Sequence, residues 1–273
     1  MAASAAAADA WVTPTDEEAR EGLDEQAAAW VTGAKVAAVR AAALKDSRAK
    51  PGTAYADLLE KCLFVRRWLV AREGDVEEAT KMLLRHLQWR QEECPWFPEL
   101  PPTDRIVDDL SRGKVMRHGT SITGKPCLYV FADKHSVHDT TQERTQELVI
   151  YSIEQTVRTL GRTGGAVVIF DFKDAPWSAM DTDAAKYVVR MLSLNYPESL
   201  DRILIVNYGM LFSALWTVIS PFLSARTTAK VKFVTEAQLT ELIAPEQLPV
   251  RLGGTADVEP DEIGDSRPVS ATS

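Results

Sequence analysis

The stretch that decides the fold is ILIVNYGMLFSALWTVISPFL, residues 203–223, which contains no charged residue. Its length matches that of a helix that crosses the hydrocarbon core of a membrane. However, ILIVN (203–207) is rich in β-branched residues and predicts a strand, and the following Asn-Tyr-Gly is a plausible turn. Pro221 ends or kinks a helix that reaches it. The helix that remains, 210–223, is too short to span a membrane.

This short helix is apolar on nearly every side. A helix of this kind is either buried all round or faces something apolar other than water. On composition alone, a lid over a lipid-filled cavity and an ordinary buried helix explain it equally well. Its large apolar residues include Met210, Leu211, Phe212, Leu215, Trp216, Ile219 and Phe222.

Strand-like and helical segments alternate around this stretch. CLYVFA (127–132), AVVIFDF (166–172) and VKFV (231–234) are short and β-rich, whereas residues 141–160 and 182–196 carry apolar positions at helical spacing. Such alternation predicts an α/β domain with a mainly parallel sheet and helices packed on it.

The segments outside this domain have different compositions. Residues 53–100 carry apolar positions at helical spacing and predict a small helical bundle. Residues 1–52 are rich in alanine and charge, and 16–46 predict helix, but few large apolar residues are present to dock it, so we expect a flexible extension. The polar, acidic residues 255–273 predict a disordered tail. The α/β domain is therefore expected to cover 101–254.

Charge and cysteine content narrow the class of protein. The 273 residues carry a formal net charge of −8, which argues against nucleic acid as a partner because phosphate binding needs a basic face. The three cysteines show no metal-binding spacing and predict reduced thiols. The N-terminus lacks the basic and apolar segments of a secretory signal. We expect a soluble, cytoplasmic monomer.

Two groups of polar residues raise the question of catalysis or metal binding. DKHSVHD (133–139) contains two histidines and two aspartates, but without a further ligand a solvated loop is favoured. Asp171 and Asp174 follow a strand, where α/β enzymes place catalytic acids. They lack a nucleophile, a partner base or a cofactor loop, so we expect no enzymatic activity, no metal and no cofactor.

Positive charge follows the apolar helix, although the chain is acidic overall. Arg226, Lys230 and Lys232 come directly after it. Apolar surface beside local positive charge suits an anionic lipid interface. The alternative is that these residues form the solvated flank of a strand.

Four segments together resemble the CRAL-TRIO family of lipid-binding proteins. WLVAREGDVEEATKMLLRHLQWRQE (68–92) resembles its N-terminal helical segment. VVIFDFKD (167–174), the run from LNYPESLD to VKFV (194–234) and LPVRLGG (248–254) resemble its lipid-binding domain in order and spacing. The resemblance covers about residues 55–254.

The resemblance implies an α/β fold whose parallel sheet floors a hydrophobic pocket for one lipid. A mobile helix gates the pocket and touches the membrane transiently during exchange, a role that falls on 210–223. The implied ligand is a phospholipid, with phosphatidylinositol favoured, and the protein would associate with membranes peripherally. The alternative is a lipid-sensing interaction module that binds another hydrophobic ligand without rapid transfer.

The resemblance also assigns four residues to the inositol headgroup. Glu198 matches the acid of the family's YPE motif, and Lys230 matches the lysine that opens the last strand. Thr227 matches the threonine three residues before that lysine, and Arg72 matches an arginine in the N-terminal segment. Lysine and arginine suit a phosphate, whereas a carboxylate and a hydroxyl suit inositol hydroxyls.

Four residues depart from the pattern of the phosphatidylinositol transfer proteins. Glu73 stands where they have a basic residue, and Ser220 stands where they have a lysine before PFL. Ala166 and Val168 replace hydroxyl side chains that help those proteins hold phosphatidylcholine. The departures weaken the positive charge of the headgroup site and of the gate, and predict little phosphatidylcholine exchange.

Overall fold

The computed structural model describes residues 12–50, 53–94, 103–159, 164–261 and 264–268. The chain divides into two compact units, residues 1–98 and residues 99–273. Each unit has a hydrophobic core of its own.

The described part of the first unit is helical. Its α-helices are α1 (Asp16–Arg20), α2 (Glu25–Trp30), α3 (Gly33–Ala43), α4 (Ala54–Leu59), α5 (Cys62–Ala71) and α6 (Val76–Glu93), with a 3-10 turn at Ser47–Ala49. Asp75 caps α6, because its Oδ1 accepts from the Glu78 main-chain N–H at 2.9 Å. The apolar spacing read from the sequence places Val65, Leu69, Leu83 and Leu87 in the core.

Residues between Ala19 and Ala49 also belong to this core, contrary to the expectation of a flexible extension over residues 1–52. Arg66 of α5 donates from Nη1 to the main-chain oxygen of Ala19 at 3.2 Å. Small side chains allow α3 to approach its neighbours closely, a form of burial that a search for large apolar residues overlooks. Residues 1–11, 51 and 52 lie outside the described residues. The fully buried positions of α3 include Val36, Val39 and Ala43.

The second unit is built on a five-stranded sheet whose strands follow chain order. The strands are β1 (Val115–Thr120), β2 (Pro126–Phe131), β3 (Ala166–Asp171), β4 (Leu200–Val206) and β5 (Val231–Phe233). Strands β2 to β5 are parallel, and β1 pairs antiparallel with β2. The predicted α/β fold with a mainly parallel sheet is confirmed. Strand β1 was not predicted, because its sequence, VMRHGT, is half polar.

The crossover helices share one face of this sheet. Right-handed connections between strands in chain order place α8, α9 and α10 on the same side. The α-helices of this unit are α7 (Asp104–Ser111), α8 (Gln142–Thr159), α9 (Thr182–Asn195), α10 (Met210–Ile219), α11 (Ala225–Ala229) and α12 (Glu236–Leu239). Short 3-10 turns lie at Ala132–Lys134, Trp177–Ala179, Ser220–Phe222, Pro245–Gln247 and Val250–Leu252.

The opposite face of the sheet is sealed by the segment that follows β5. Its apolar side chains pack with Tyr129, Ile169 and Leu204 of the central strands in one buried cluster. This sealed face is a closed hydrophobic core that anchors the sheet. The covering residues are Val234, Leu239, Ile243, Leu248 and Leu252.

Part of the acidic tail is ordered, contrary to the expectation for residues 255–273. Strands β6 (Val258–Pro260) and β7 (Ser266–Pro268) form an antiparallel pair. Arg117 of β1 donates from its main-chain N–H to Gly264 at 2.7 Å and from Nε to Asp265 at 2.9 Å. Arg117 of the edge strand β1 thus holds part of the acidic tail in place, and composition alone does not predict this contact. Residues 262–263 and 269–273 lie outside the described residues.

The uncharged stretch 203–223 divides as the sequence predicts. It begins in β4, turns at Asn207, continues as α10 and finishes in the 3-10 turn that contains Pro221. Among the described residues, every helix is too short or too polar to cross a membrane.

Candidate functional site

The helix-bearing face of the sheet keeps apolar side chains that are only half-buried. Register pairs Val168 with Leu128 on one side and with Ile203 on the other, so alternate residues of the parallel strands share this face. Ile169, which points to the sealed face, is completely buried. The half-buried set on the helix-bearing face is Val130, Val168, Phe170 and Ile203.

The partial burial of these apolar side chains in the central strands is unusual for a sheet that is covered by helices. Central strands under helices normally reach the packing density of a crystal. Leu128 and Ile205 of the same face are buried, so the side chains that stay accessible indicate space above only part of the sheet. An apolar space of this kind suits an acyl chain, because removing each CH₂ from water contributes about 0.8 kcal/mol.

Helix α10 lies over the β4–β5 side of this face. Phe212 is 3% exposed and packs with Ile205 and Val231. Its ring meets that of Phe172 edge-on, with the ring centres 4.9 Å apart. Trp216, one turn later, belongs to the same cluster. These two predicted gate residues therefore hold α10 against the sheet.

The other predicted gate residues are less buried. Met210 is 78% exposed at the start of α10, and Phe222 is 60% exposed just after its end. Helix α10 thus shows apolar side chains both to the sheet and to the outside. An ordinary buried helix would not expose its ends in this way, which favours the lid interpretation. The half-buried members are Leu211, Leu215 and Ile219.

Predicted headgroup residues lie together beside the starts of β4 and β5. The Nζ of Lys230 is 3.6 Å from Oε2 of Glu198 and donates to the main-chain oxygen of Leu200 at 2.6 Å. Thr227 precedes Lys230 by one turn, and its hydroxyl lies 2.9 Å from that of Ser224, which caps α11. Glu198 and Lys230 therefore contact each other directly, and Thr227 borders them.

Arg226 is the member of this cluster that the sequence argument did not assign. Its Nε and Nη2 lie 3.1 and 3.2 Å from the two carboxylate oxygens of Glu198. Glu198 has a left-handed backbone with φ 55°, a conformation that costs about 1 kcal/mol in a residue other than glycine. The sequence shows Arg226 as part of a basic run but does not show that it would pair with Glu198.

Arg72, the fourth predicted headgroup residue, belongs to the first unit. It ends α5, and its Nη1 donates to the main-chain oxygen of Ala71 at 2.9 Å. Glu73 and Gly74 follow with left-handed φ values of 52° and 81° and form the turn into α6. A role of Arg72 in headgroup binding stays a prediction.

A second polar cluster lies at the carboxyl end of β3. Asp171 is fully buried; its Oδ2 accepts from Nε of Arg251 at 2.7 Å and its Oδ1 from Nδ2 of Asn207 at 2.9 Å. Arg251 also donates to both carboxylate oxygens of Asp133, at 2.7 and 3.1 Å. Its guanidinium lies 4.8 Å from the centre of the Phe131 ring. This cluster joins β3, the turn before α10 and the LPVRLGG segment.

Of the two aspartates that raise the question of catalysis, Asp171 belongs to this cluster. Both carboxylate oxygens of Asp171 accept hydrogen bonds that hold structural elements together. Asp174 lies in an exposed turn with a left-handed φ of 56°. The geometry gives Asp171 a structural role.

The histidine-containing segment 133–139 also has structural contacts. Nε2 of His135 lies 3.2 Å from Oδ2 of Asp181, whose Oδ1 caps α9 by accepting from Ala184 at 2.8 Å. Burial lowers the pKa of His135, although the hydrogen bond with Asp181 opposes this effect. Within the described ranges, no three His, Cys, Asp or Glu side chains are grouped so that they could hold a metal ion.

Three of the departures from the transfer-protein pattern have clear positions. Ala166 and Val168 alternate along β3 and so share the helix-bearing face. That part of the face therefore carries methyl groups at the two positions where the resemblance expects hydroxyl groups. Ser220 is half-buried at the end of α10.

Fold and site together define a class of protein. An α/β domain with partly accessible apolar side chains under an apolar helix, and with a charged cluster at the margin of that face, has surfaces that suit an amphiphilic ligand. Residues 110–254 match the family model described as CRAL/TRIO domain. The chain belongs to the CRAL/TRIO domain family.

Curated relatives and a solved structure agree with this membership. The chain is 30% identical over 201 residues to phosphatidylinositol transfer protein CSR1 of Eremothecium gossypii, covering 69% of this chain and 46% of that protein. It is 31% identical over 218 residues to Patellin-3 of Arabidopsis thaliana, covering 71% and 44%. The alignments thus span under half of either relative. A crystal structure of Sfh5 shares the fold with a TM-score of 0.61 at 15% identity, covering 85% of this chain and 93% of that one.

Proposed function

We propose that this protein holds one phospholipid between the helix-bearing face of the sheet and helices α8 to α10, and exchanges it with membranes. The observation that carries the proposal is the half-buried apolar face of the central strands beneath a helix with exposed apolar ends. Phosphatidylinositol is the favoured ligand. The name of the Eremothecium relative, a phosphatidylinositol transfer protein, supports this choice.

The proposed mechanism rests on a continuous apolar path. Exposing an acyl chain to water costs about 0.8 kcal/mol per CH₂, whereas moving it between two apolar surroundings is nearly neutral. In the proposal, α10 partitions into the membrane interface through Met210 and Phe222 and swings away from the sheet. The acyl chain then moves from bilayer to pocket without crossing water. No catalytic step is needed.

The polar end of the ligand would lie at the Glu198 cluster. Lys230 would bind the phosphate, Glu198 would accept hydrogen bonds from inositol hydroxyls, and the Thr227 hydroxyl would donate to or accept from them. The contact between Glu198 and Lys230 supports this assignment. We further propose that the protein acts as a cytoplasmic monomer that contacts membranes transiently.

Transfer between vesicles tests the proposal. Lys230→Ala is expected to slow the transfer of labelled phosphatidylinositol about tenfold, because one charge-assisted contact to phosphate contributes about 1.5 kcal/mol. The matched control is Lys232→Ala, since Lys232 pairs with Leu204 in register and belongs to the opposite face. Equal rates for both variants and the parent would refute the headgroup assignment. Tight retention of lipid without exchange would favour the lipid-sensing module instead.

A further inference from the structure

We infer that Arg226 is a specificity-determining residue that favours anionic over zwitterionic phospholipid headgroups. The inference rests on the proposed function, because it concerns the ligand of the same site. It starts from the ion pair with Glu198, in which two guanidinium nitrogens of Arg226 face the two carboxylate oxygens.

The cluster of Glu198, Arg226 and Lys230 contains more cations than anions. Arg226 and Lys230 both lie within ion-pair distance of Glu198, so two cations share one carboxylate. These three side chains together therefore carry one net positive charge. Without Arg226, Glu198 and Lys230 would cancel each other.

The three charged side chains are partly accessible to a ligand. The side chains of Glu198, Lys230 and Arg226 are 21%, 23% and 35% exposed, so a ligand can reach them while solvent screens them only partly. Charges in such surroundings interact more strongly than on an open surface. The excess charge is thus able to influence which headgroup is bound.

The headgroups of phosphatidylinositol and phosphatidylcholine differ in charge. Phosphatidylinositol and phosphatidylcholine share a phosphate diester, which the excess positive charge attracts in both. Phosphatidylcholine also carries a quaternary ammonium group, which the same charge repels. Specificity of this kind comes from the repulsive element as much as from the attractive one.

The test is a competition between lipids on the full chain. Protein is incubated with vesicles of equal phosphatidylinositol and phosphatidylcholine content, separated from them, and examined by native mass spectrometry. We expect Arg226→Gln to keep one lipid per chain but to lower the ratio of phosphatidylinositol to phosphatidylcholine about tenfold, which corresponds to about 1.4 kcal/mol. Arg226→Lys, which keeps the charge although not the two-nitrogen contact with Glu198, is expected to stay within about twofold of the parent ratio.

The matched control is Arg202→Gln. Arg202 is paired with Asp201 at 2.9 Å, and its register with Val167 assigns it to the opposite face of the sheet. The control is expected to leave the ratio unchanged. A second measurement uses the parent protein with vesicles of phosphatidylglycerol and phosphatidylcholine. We expect the protein to prefer phosphatidylglycerol, because the proposed selection depends on the charge of the headgroup.

Each arm has an outcome that overturns the inference. Lipid-loaded Arg226→Gln with the parent ratio, or Arg226→Lys that behaves like Arg226→Gln, contradicts the role of the charge while leaving lipid binding intact. A parent protein that takes up no lipid refutes the proposed function itself. Inorganic phosphate added to the competition should not change the ratio; abolition of the preference would make the cluster a simple phosphate site.

Discussion

The carboxylate of Asp171 and the guanidinium of Arg251 lie 2.7 Å apart, although 80 positions separate them in the chain. This contact ties the end of β3 to the LPVRLGG segment, which leads out of the sealed face. Asn207, at the turn into α10, donates to the same carboxylate. The end of β3, the start of α10 and the covering segment are therefore held by one buried acid.

Removing the cation should destabilise the second unit. Arg251→Met leaves the buried Asp171 without its charged partner, so we expect the free energy of unfolding to fall by about 2 kcal/mol. Hydrogen exchange of the β3 and β4 amides measures this loss within that unit. Asp174→Asn, in an exposed turn, is the control and should change stability by less than about 0.5 kcal/mol. Unaltered protection in Arg251→Met would show that the cluster is dispensable.

Stability should depend on pH through His135. Burial lowers the pKa of His135 in the folded state below its ordinary value of 6.5. Below that pH the unfolded chain takes up a proton more readily than the folded one, so stability falls as the pH decreases through 6.5. Urea unfolding at pH 7.5 and at lower pH measures the slope, which His135→Gln should reduce. His138→Gln, at an exposed position, should retain it; the reverse result would exclude His135 as the source.

Membrane contact should depend on the exposed ends of α10. Changing both Met210 and Phe222 to serine removes apolar surface that a membrane would bury, worth about 1.5–3 kcal/mol for each side chain on full burial. We expect at least about tenfold weaker vesicle binding and a proportionate drop in transfer, with unfolding little changed. Ile122→Ser removes a side chain of similar exposure from the β1–β2 turn. Equal losses in this control would point to non-specific adhesion.

Local features of the fold could be predicted, whereas contacts between distant segments could not. Apolar periodicity and the β-branched run after Leu200 located the parallel strands and the start of α10 to within a few residues. The same reasoning missed the packing of α3 in a core, because it looked for large apolar residues, and missed β1, because an edge strand can be half polar. Pairs such as Arg226 with Glu198 depend on the strand order, which spacing along the chain does not reveal.

In the candidate site, too, contacts between distant segments could not be predicted from the sequence. Glu198 and Lys230 were assigned from a family resemblance, and the structure brings them into contact. Arg226 was visible as a charge next to an apolar helix, but its partner became clear only from the positions of β4 and β5. Composition leaves the role of the apolar helix open, and the exposure of Met210 and Phe222 favours a lid over an ordinary core helix.

The central claim is that the space above the sheet holds one phospholipid. Native mass spectrometry of the purified full chain, followed by lipid extraction, tests it most directly. We predict a mass increment of one phospholipid per chain, with phosphatidylinositol as the main species extracted. A chain that stays empty after incubation with vesicles, or that carries a sterol or another ligand without phosphate, would contradict the account.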